Sequence, residues 1–328
     1  MIVRFALEPE ALKWRGGDRV ATDNFHVSFL EKWHDCGVLI VQRSHDGASR
    51  LDREIQDLPL KLRKRWTVAM GHFPRVTDLE GLPDLSAVDH AEKVAGFAKR
   101  VQLVLFEPTR AFDAFGLTDD EVAIRVESSG LEVCRFDAGA RAASFAVAKA
   151  RAHRDIPAKE ATDAIWREYF EIPVALSKTI VVIDRYSGKA VLERGERSGF
   201  GQFLKRAEES VVEGGPATHE VIIYSEIPGT STRGDIHAAF RSVVASTSHK
   251  RIQRVTLRLL VPGDAKKWAH DRKTLFDRRW LISLGSGIRI FEGDRTSGDH
   301  DIHCHSEVDT FLEGESRLRE QSEDPLEC

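Results

Sequence analysis

One short segment of the chain carries a histidine, an arginine and an aspartate at a spacing suited to a phosphate group. They are His270, Arg272 and Asp277, in the string WAHDRKTLFD. On an extended segment, residues i and i+2 point to the same face, so His270 and Arg272 can address one phosphate together. Arginine binds phosphate through a planar fork of donors. The spacing therefore predicts a phosphate site, with His270, Arg272 and Asp277 as candidate catalytic residues.

Three further candidates lie where a predicted sheet would place them beside this segment. Asp184 and Tyr186 follow the predicted strand Thr179–Ile183 directly. Ligand sites in open α/β sheets gather at the carboxyl ends of strands, so we expect both side chains near His270. Ser286 lies between two glycines and is expected to present backbone N–H groups to an anion. Asp184, Tyr186 and Ser286 are therefore candidate ligand-binding residues.

The charge distribution favours an anionic ligand locally, although the formal net charge of the chain is −4. The segment Lys250–Arg279 contains ten Lys or Arg residues and three Asp residues. Such a stretch can bind phosphates whatever the net charge, and Lys273 within it is a further ligand-binding candidate. An ordinary solvated face is the alternative. Residues 292–328 contain 12 Asp or Glu and 3 Lys or Arg, which predicts a solvated or disordered tail able to fold over the basic stretch.

The segment around His270 resembles the phospholipase D signature, His-x-Lys-x4-Asp, with Arg272 in the position of the lysine. Over residues about 160–295 the chain is most similar to the C-terminal domain of microtubule-interacting-and-transport (MIT) proteins. The residues that carry this resemblance are Ile165, Trp166, Tyr169, Phe170, Asp184, Tyr186, His270, Asp271, Arg272, Asp277, Trp280, Ile282, Gly285, Gly287 and Phe291.

The resemblance implies a phospholipase D-like fold that works without a cofactor. In that family the histidine, here His270, attacks phosphorus and forms a covalent phosphohistidine. By the same resemblance Arg272 clamps the phosphate and Asp277 orients the site. A second histidine protonates the leaving group. This chain has a single motif, so catalysis implies a homodimer that brings two copies together.

Two functions follow from these residues and from the resemblance. The first is a phosphodiester-recognising protein that acts on nucleic acid, as a metal-independent nuclease when dimeric, and by analogy in a bacterial defence or conflict system. The second is a non-catalytic module for a phosphorylated ligand, an acidic lipid head group or a partner protein, since characterised MIT members are thought to bind head groups rather than cleave them. A purely structural His270-Asp271-Arg272 string is the remaining interpretation.

The sequence predicts short strands at Lys273–Phe276, Trp280–Leu284 and Ile288–Phe291, and a connection at residues 153–157. Strand–helix–strand alternation predicts an α/β fold in two domains. We expect residues 1–152 to form an α/β domain of unidentified role that binds a protein partner or regulates the second domain. Residues 158–295 are expected to form a phospholipase D-like mixed sheet covered by helices, and residues 296–328 an acidic tail. The longest apolar runs have strand length, which predicts no transmembrane segment. The N-terminus lacks a signal-peptide pattern, which predicts a cytoplasmic protein.

Two other clusters contain residue types that bind metals. The string DHDIHCH at residues 299–305 is too crowded for one closed tetrahedral zinc site and falls in the predicted tail, so no metal is expected there. Glu8, Glu10, Asp23 and Asp113 contain carboxylates suited to a metal-dependent nuclease, but their spacing identifies no known site.

Overall fold

The computed structural model describes residues 2–13, 19–42, 50–78, 84–210, 219–229, 231–247, 251–261, 272–277, 279–306 and 308–328. These residues form two compact units, Met1–Arg151 and Ala152–Cys328, which we call unit 1 and unit 2. Each unit is built around a mixed sheet covered by helices. The predicted α/β fold class is therefore confirmed.

Unit 1 is organised around a sheet of six described strands, in the order β3-β2-β1-β4-β6-β5. Its strands are β1 Val3–Leu7, β2 Gly37–Gln42, β3 Arg75–Asp78, β4 Leu103–Phe106, β5 Ala123–Arg125 and β6 Glu132–Arg135. Its helices are α1 Arg19–Cys36, α2 Arg50–Asp57, α3 Leu60–His72, α4 Ala91–Ala95, α5 Pro108–Phe115 and α6 Ala143–Ala150. Only β5 runs antiparallel to its neighbour. Phe5, Phe29, Trp33 and Trp66 are fully buried and anchor the core between sheet and helices.

Unit 2 contains a sheet of eight described strands, in the order β14-β10-β9-β8-β11-β12-β13-β7. Its strands are β7 His153–Ile156, β8 Thr179–Ile183, β9 His219–Glu226, β10 Ile252–Leu260, β11 Lys273–Phe276, β12 Trp280–Leu284, β13 His300–His305 and β14 Leu326–Glu327. Its helices are α7 Thr162–Ile165, α8 Glu171–Leu176, α9 Ser187–Arg194, α10 Gly199–Glu209, α11 Arg233–Ser246 and α12 Asp309–Gln321. A π-helical turn at Trp166–Phe170 joins α7 to α8.

The middle of this sheet is parallel and its flanks are antiparallel. Strands β8, β9 and β10 run parallel, and the remaining pairs are antiparallel. The sequence of β8, TIVVI, is β-branched throughout, as expected for a strand buried on both faces. Its last residue, Ile183, pairs with Lys273 of β11. The register therefore brings Asp184, which follows β8, to the same end of the sheet as Arg272, which precedes β11.

The prediction of an acidic tail after residue 295 is wrong. Strand β13 pairs with β12, and helix α12 buries Phe311 and Leu318 against the sheet. The hydroxyl of the buried Tyr224 donates a hydrogen bond to Glu315 Oε1 at 2.6 Å. The excess of acidic residues concealed an amphipathic helix and an edge region of the sheet, so the segment is an integral part of unit 2.

Two other elements of unit 2 differ from expectation. Residues 153–156, expected to be a connection, form β7 and extend the sheet beyond β13. Residues 288–291, expected to be a strand, form a 3₁₀ turn that starts at Gly287. Within the residues described, no helix is both long enough and apolar enough to cross a membrane.

Candidate functional site

A cavity of about 340 Å³ lies in unit 2 beside the carboxyl end of β8. Its walls come from the loop after β8, helix α9, the start of α10, the residue before β11 and the 3₁₀ turn after β12. The residues that line it are Asp184, Tyr186, Ser187, Lys189, Ala190, Glu193, Arg194, Gly199, Phe200, Arg272, Ser286, Ile288, Arg289 and Glu292. Four of the seven sequence-predicted site residues, three ligand-binding candidates and Arg272, therefore share one cavity.

Asp184 is the buried carboxyl group of the site, with 3% of its surface exposed. Its Oδ1 accepts a hydrogen bond from the backbone N–H of Tyr186 at 3.1 Å. Burial raises the pKa of Asp184 from 3.8 to about 6, although the N–H groups of Tyr186 and Ile288 and the charge of Arg272 act in the opposite direction. Desolvation therefore dominates, and the carboxyl group gains a proton in mildly acidic solution.

Arg272 supplies a cation beside Asp184, whose ionised carboxylate its charge favours. Its Nη1 donates to the backbone carbonyl of Gly285 at 2.7 Å, and its guanidinium carbon lies 4.9 Å from the centre of the Tyr186 ring. No carboxylate among the described residues forms an ion pair with it. The other cations of the cavity differ, since Lys189 pairs with Glu193, and Arg194 and Arg289 both pair with Glu292.

Two buried hydroxyl groups face the same region without a protein partner. Within the described residues, Ser187 Oγ and Ser286 Oγ make no hydrogen bond. Buried hydroxyls without a partner are uncommon, because leaving one unsatisfied costs about 1–3 kcal/mol. Both residues line the cavity, so rotation of either side chain would bring its buried hydroxyl to a ligand there.

Gly287 lets the backbone approach the two charged groups closely. Its φ is +65°, which favours glycine. A Cβ at this position would lie 2.3 Å from Asp184 Oδ2 and 2.5 Å from Arg272 Cδ. A side chain is therefore excluded here, and the glycine keeps Asp184 and Arg272 side by side.

The predicted site residues separate into three groups. Asp184, Tyr186, Arg272 and Ser286 line the cavity. His270 lies outside the described residues, as do residues 262–271 as a whole. Asp277 and Lys273 are described but lie elsewhere.

Asp277 is placed at the opposite end of β11 from Arg272. Its carboxylate accepts hydrogen bonds from the backbone N–H groups of Lys178 at 2.9 Å and Thr179 at 2.7 Å, where β8 begins. Four strand residues, and so five steps along the chain, separate it from Arg272, which corresponds to roughly 17 Å along the strand. Asp277 therefore fastens the start of β8 and is not brought to the cavity.

Lys273 is next to Arg272 in sequence but belongs to the other side of the sheet. Its Nζ lies 5.8 Å from the ring centre of Phe311, on helix α12. Successive side chains of a strand point to opposite faces, which accounts for the separation. Lys273 packs against α12 and does not line the cavity.

The residues that the sequence analysis missed come chiefly from α9 and the 3₁₀ turn. They are Ser187, Lys189, Arg194, Arg289 and Glu292. The string SGKAVLER of α9 contains good helix formers, but its single buried valine gives a weak apolar period. The 3₁₀ turn was hidden because its residues GIRIF alternate as a strand would.

The acidic residues considered in unit 1 do not converge on a metal position. Glu8 is fully buried and pairs with Arg110 at 3.1 Å, Glu10 pairs with Arg50, and Asp23 pairs with Lys61 at 3.3 Å. Burial raises the pKa of Glu8 to about 7. Across the described ranges, no group of three or more His, Cys, Asp or Glu side chains could hold a metal ion.

The fold and the cavity define an α/β protein with two mixed sheets, and comparisons with known proteins add little to this. No protein-family model matches the chain, and no curated protein matches it. Among solved structures, phosphatidylserine synthase from Haemophilus influenzae Rd KW20 is similar with a TM-score of 0.25 and 10% sequence identity. The match covers 52% of this chain and 38% of that protein. Similarity at this level does not establish a shared fold.

Proposed function

We propose that unit 2 recognises a phosphodiester group of nucleic acid in the cavity between Asp184 and Arg272. The observation that carries the proposal is the guanidinium of Arg272, which forms no ion pair with a described carboxylate and borders a cavity lined by two serines whose hydroxyls have no partner. Arginine and hydroxyl donors together match the oxygens of a phosphodiester. The position at the carboxyl end of parallel strands is also the usual one for ligands in α/β proteins.

The electrostatic balance of the cavity supports a singly charged anion. Lys189 pairs with Glu193, and Arg194 and Arg289 share Glu292, so with Arg272 and an ionised Asp184 the lining carries four cations against three carboxylates. Protonation of Asp184 removes the carboxylate that lies beside Arg272 and would oppose an anion there. A phosphodiester carries one negative charge throughout the neutral and mildly acidic range. We therefore propose that it binds more tightly as the pH falls through about 6.

The catalytic form of the proposal adds His270, two residues before Arg272. In this form His270 attacks phosphorus, the bond to the leaving oxygen breaks, and a histidine from a second copy of the chain protonates that oxygen. Water then hydrolyses the phosphohistidine and restores the free imidazole. The resemblance to the phospholipase D signature motivates this form, which requires a homodimer and no metal.

Binding of labelled oligonucleotides, measured by fluorescence anisotropy in EDTA, tests the proposal. Arg272→Ala is expected to weaken binding by about tenfold or more, since a hydrogen bond to a charged group contributes about 1.5–3 kcal/mol. The matched control is Arg254→Ala, which removes the same charge from the same basic stretch. Arg254 is 55% exposed and pairs with Glu220 at 2.8 Å, away from the lining of the cavity.

Equal losses in the two variants would contradict the cavity as the binding site. Binding to vesicles that contain phosphatidylserine, without binding to oligonucleotides, would replace nucleic acid by a lipid head group as the ligand. Cleavage of the oligonucleotides in EDTA, lost in His270→Ala while binding is retained, would assign the catalytic form. Binding without cleavage would identify a non-catalytic module.

A further inference from the structure

A groove of about 520 Å³ lies between helices α1 and α3 of unit 1. Its apolar lining consists of Val27, Leu30, Val68 and Phe73. Val68 is 55% exposed, and two other strongly exposed apolar side chains, Val20 and Leu60, lie in the first turns of the same two helices. Exposed apolar side chains that lie close together mark an interaction surface, whereas scattered ones need no explanation. The surface of α1 and α3 is therefore a candidate interface.

The two walls of the groove carry opposite charges. Glu31 and Asp35 line it on α1, and Lys64 and Arg65 line it on α3. Asp35 contacts the neighbouring His34 at 3.3 Å. Within the part of the chain that the structure describes, Glu31, Lys64 and Arg65 form no ion pair. Three of the four charges are therefore available to a partner whose own charges show the complementary pattern.

Helices α1 and α3 run in the same direction, because each leads directly into one of the adjacent parallel strands β2 and β3. Lys61 on α3 pairs with Asp23 on α1 at 3.3 Å, which fixes the relative height of the two helices. At about 1.5 Å per residue, Glu31 lies roughly 12 Å beyond Asp23, and Arg65 lies roughly 6 Å beyond Lys61. Glu31 and Arg65 therefore differ in height by about one helical turn, which two long side chains can span.

We propose that this groove is an interface between two copies of the chain, related by a two-fold axis that runs along the groove. Rotation about such an axis places α1 of each copy on α3 of the other and preserves height along the helices. Glu31 of one copy then meets Arg65 of the other, and the contact occurs twice, as in every isologous interface. An axis across the helices would instead bring α1 onto α1 and like charges together. The charge pattern is thus complementary to itself, which identifies a second copy as the occupant.

The size of this surface predicts a weak dimer. Helices α1 and α3 have 18 and 13 residues, so they are about 27 and 20 Å long, and side by side they are about 20 Å wide. The face measures roughly 500 Å² per copy, below the roughly 800 Å² of a standard stable interface. Dissociation constants in the micromolar range are therefore expected. The interface belongs to unit 1 and does not depend on the ligand of unit 2, although it would supply the second copy that the catalytic form requires.

Sedimentation equilibrium of the full chain, without oligonucleotide, at low salt and over a range of protein concentrations tests the proposal. The wild type is expected to dimerise. Val68→Asp, Glu31→Arg and Arg65→Glu should each weaken the dimer by at least about tenfold, because an unpaired charge or a pair of like charges then enters the interface twice. Phe112→Asp is the matched control, since Phe112 is 56% exposed on α5 and does not line the groove.

Mixing two variants gives the sharpest test. Glu31→Arg and Arg65→Glu should each be monomeric alone, whereas their equimolar mixture should regain the affinity of the wild type, because both contacts of the mixed dimer again join opposite charges. Circular dichroism shows whether each variant is folded, and recovery in the mixture cannot come from unfolded chains.

A wild type that remains monomeric up to roughly 100 μM would overturn the proposal and leave the groove to another protein or to a small apolar ligand. A dimer unchanged by Val68→Asp, or weakened equally by Phe112→Asp, would overturn it as well. Failure of the mixed variants to associate, although the wild type dimerises, would rule out the pairing of α1 with α3.

Discussion

Asp184 is deeply buried and lies beside Arg272, and these two features shift its pKa in opposite directions. Burial disfavours the ionised carboxylate, whereas Arg272 and the N–H groups of Tyr186 and Ile288 favour it. The net result is a pKa near 6, which places the titration of Asp184 in the range where many proteins operate. The stability of the protein and its affinity for an anion are therefore both expected to depend on this one group.

Asp184→Asn should stabilise the protein at neutral pH but not in acid. Because the folded-state pKa is raised from 3.8 to about 6, the stability that wild-type Asp184 contributes is complete below about pH 4. It is lost as the pH rises through 6. A shift of this size corresponds to about 3 kcal/mol. The free energy of unfolding in urea can be measured for both proteins from about pH 4 to about pH 8. The two values should diverge between about pH 4 and about pH 6 and differ by a constant amount above that. A difference that is constant with pH would show that Asp184 is not protonated in the folded protein.

Asp277 lies in the turn after β11 and holds the beginning of strand β8 in place through hydrogen bonds. Its φ of +47° lies in the left-handed region, which aspartate and asparagine tolerate better than most residues. The carboxylate accepts N–H groups of Lys178 and Thr179 that precede and begin β8. The aspartate of the signature therefore serves the sheet and lies far from the cavity.

Asp277→Ala is expected to lower the free energy of unfolding by about 2–3 kcal/mol, because two backbone N–H groups lose their acceptor. Oligonucleotide affinity of the folded variant should remain that of the wild type. Asp277→Asn, which keeps one acceptor oxygen and the tolerance of a positive φ, should lose less than half as much stability. Urea unfolding and anisotropy measure the two quantities. If Asp277→Ala kept wild-type stability but lost oligonucleotide binding, Asp277 would have to contribute to the ligand site.

The sequence predicted elements well where local patterns carry the information. The expected bounds of β8, β11 and β12 coincide with the structure, since their apolar runs and turn residues are local signals. Strand β7, with the sequence HRDI, has one buried apolar residue and is defined by its pairing with β13, about 150 positions away in sequence. Four residues predicted for the site, Asp184, Tyr186, Arg272 and Ser286, line one cavity, whereas α9 contributes to it through tertiary packing that no local pattern reveals.

At the scale of the whole molecule, the net charge of −4 does not attract polyanions. Recognition of a phosphodiester must therefore depend on a local site. The proposed local site is the cavity of unit 2 beside Arg272. The role expected for unit 1, to bind a protein partner or to regulate unit 2, stays a prediction. The affinity of the protein for nucleic acid should therefore depend only weakly on salt concentration, because a compact site contacts few phosphates.

The dependence of oligonucleotide binding on salt should be shallow. For single strands, the slope of log K against log salt concentration is about −0.7 for each phosphate neutralised, so one to three contacts give roughly −0.7 to −2. Anisotropy titrations over a series of salt concentrations measure this slope. A value steeper than about −5 would indicate a broad basic surface, which a single cavity cannot provide.

The ends of the eight-stranded sheet have a consequence for the behaviour of the protein in concentrated solution. One described edge is β7, whose exposed His153 and Asp155 flank an Arg154 engaged with Glu160 and Glu168. The other is the two-residue strand β14. Short and charged edge strands hinder pairing with a neighbouring sheet. Self-association of this protein by continuous extension of the sheet is therefore disfavoured, which lowers its tendency to aggregate and leaves assembly, where it occurs, to side-chain contacts.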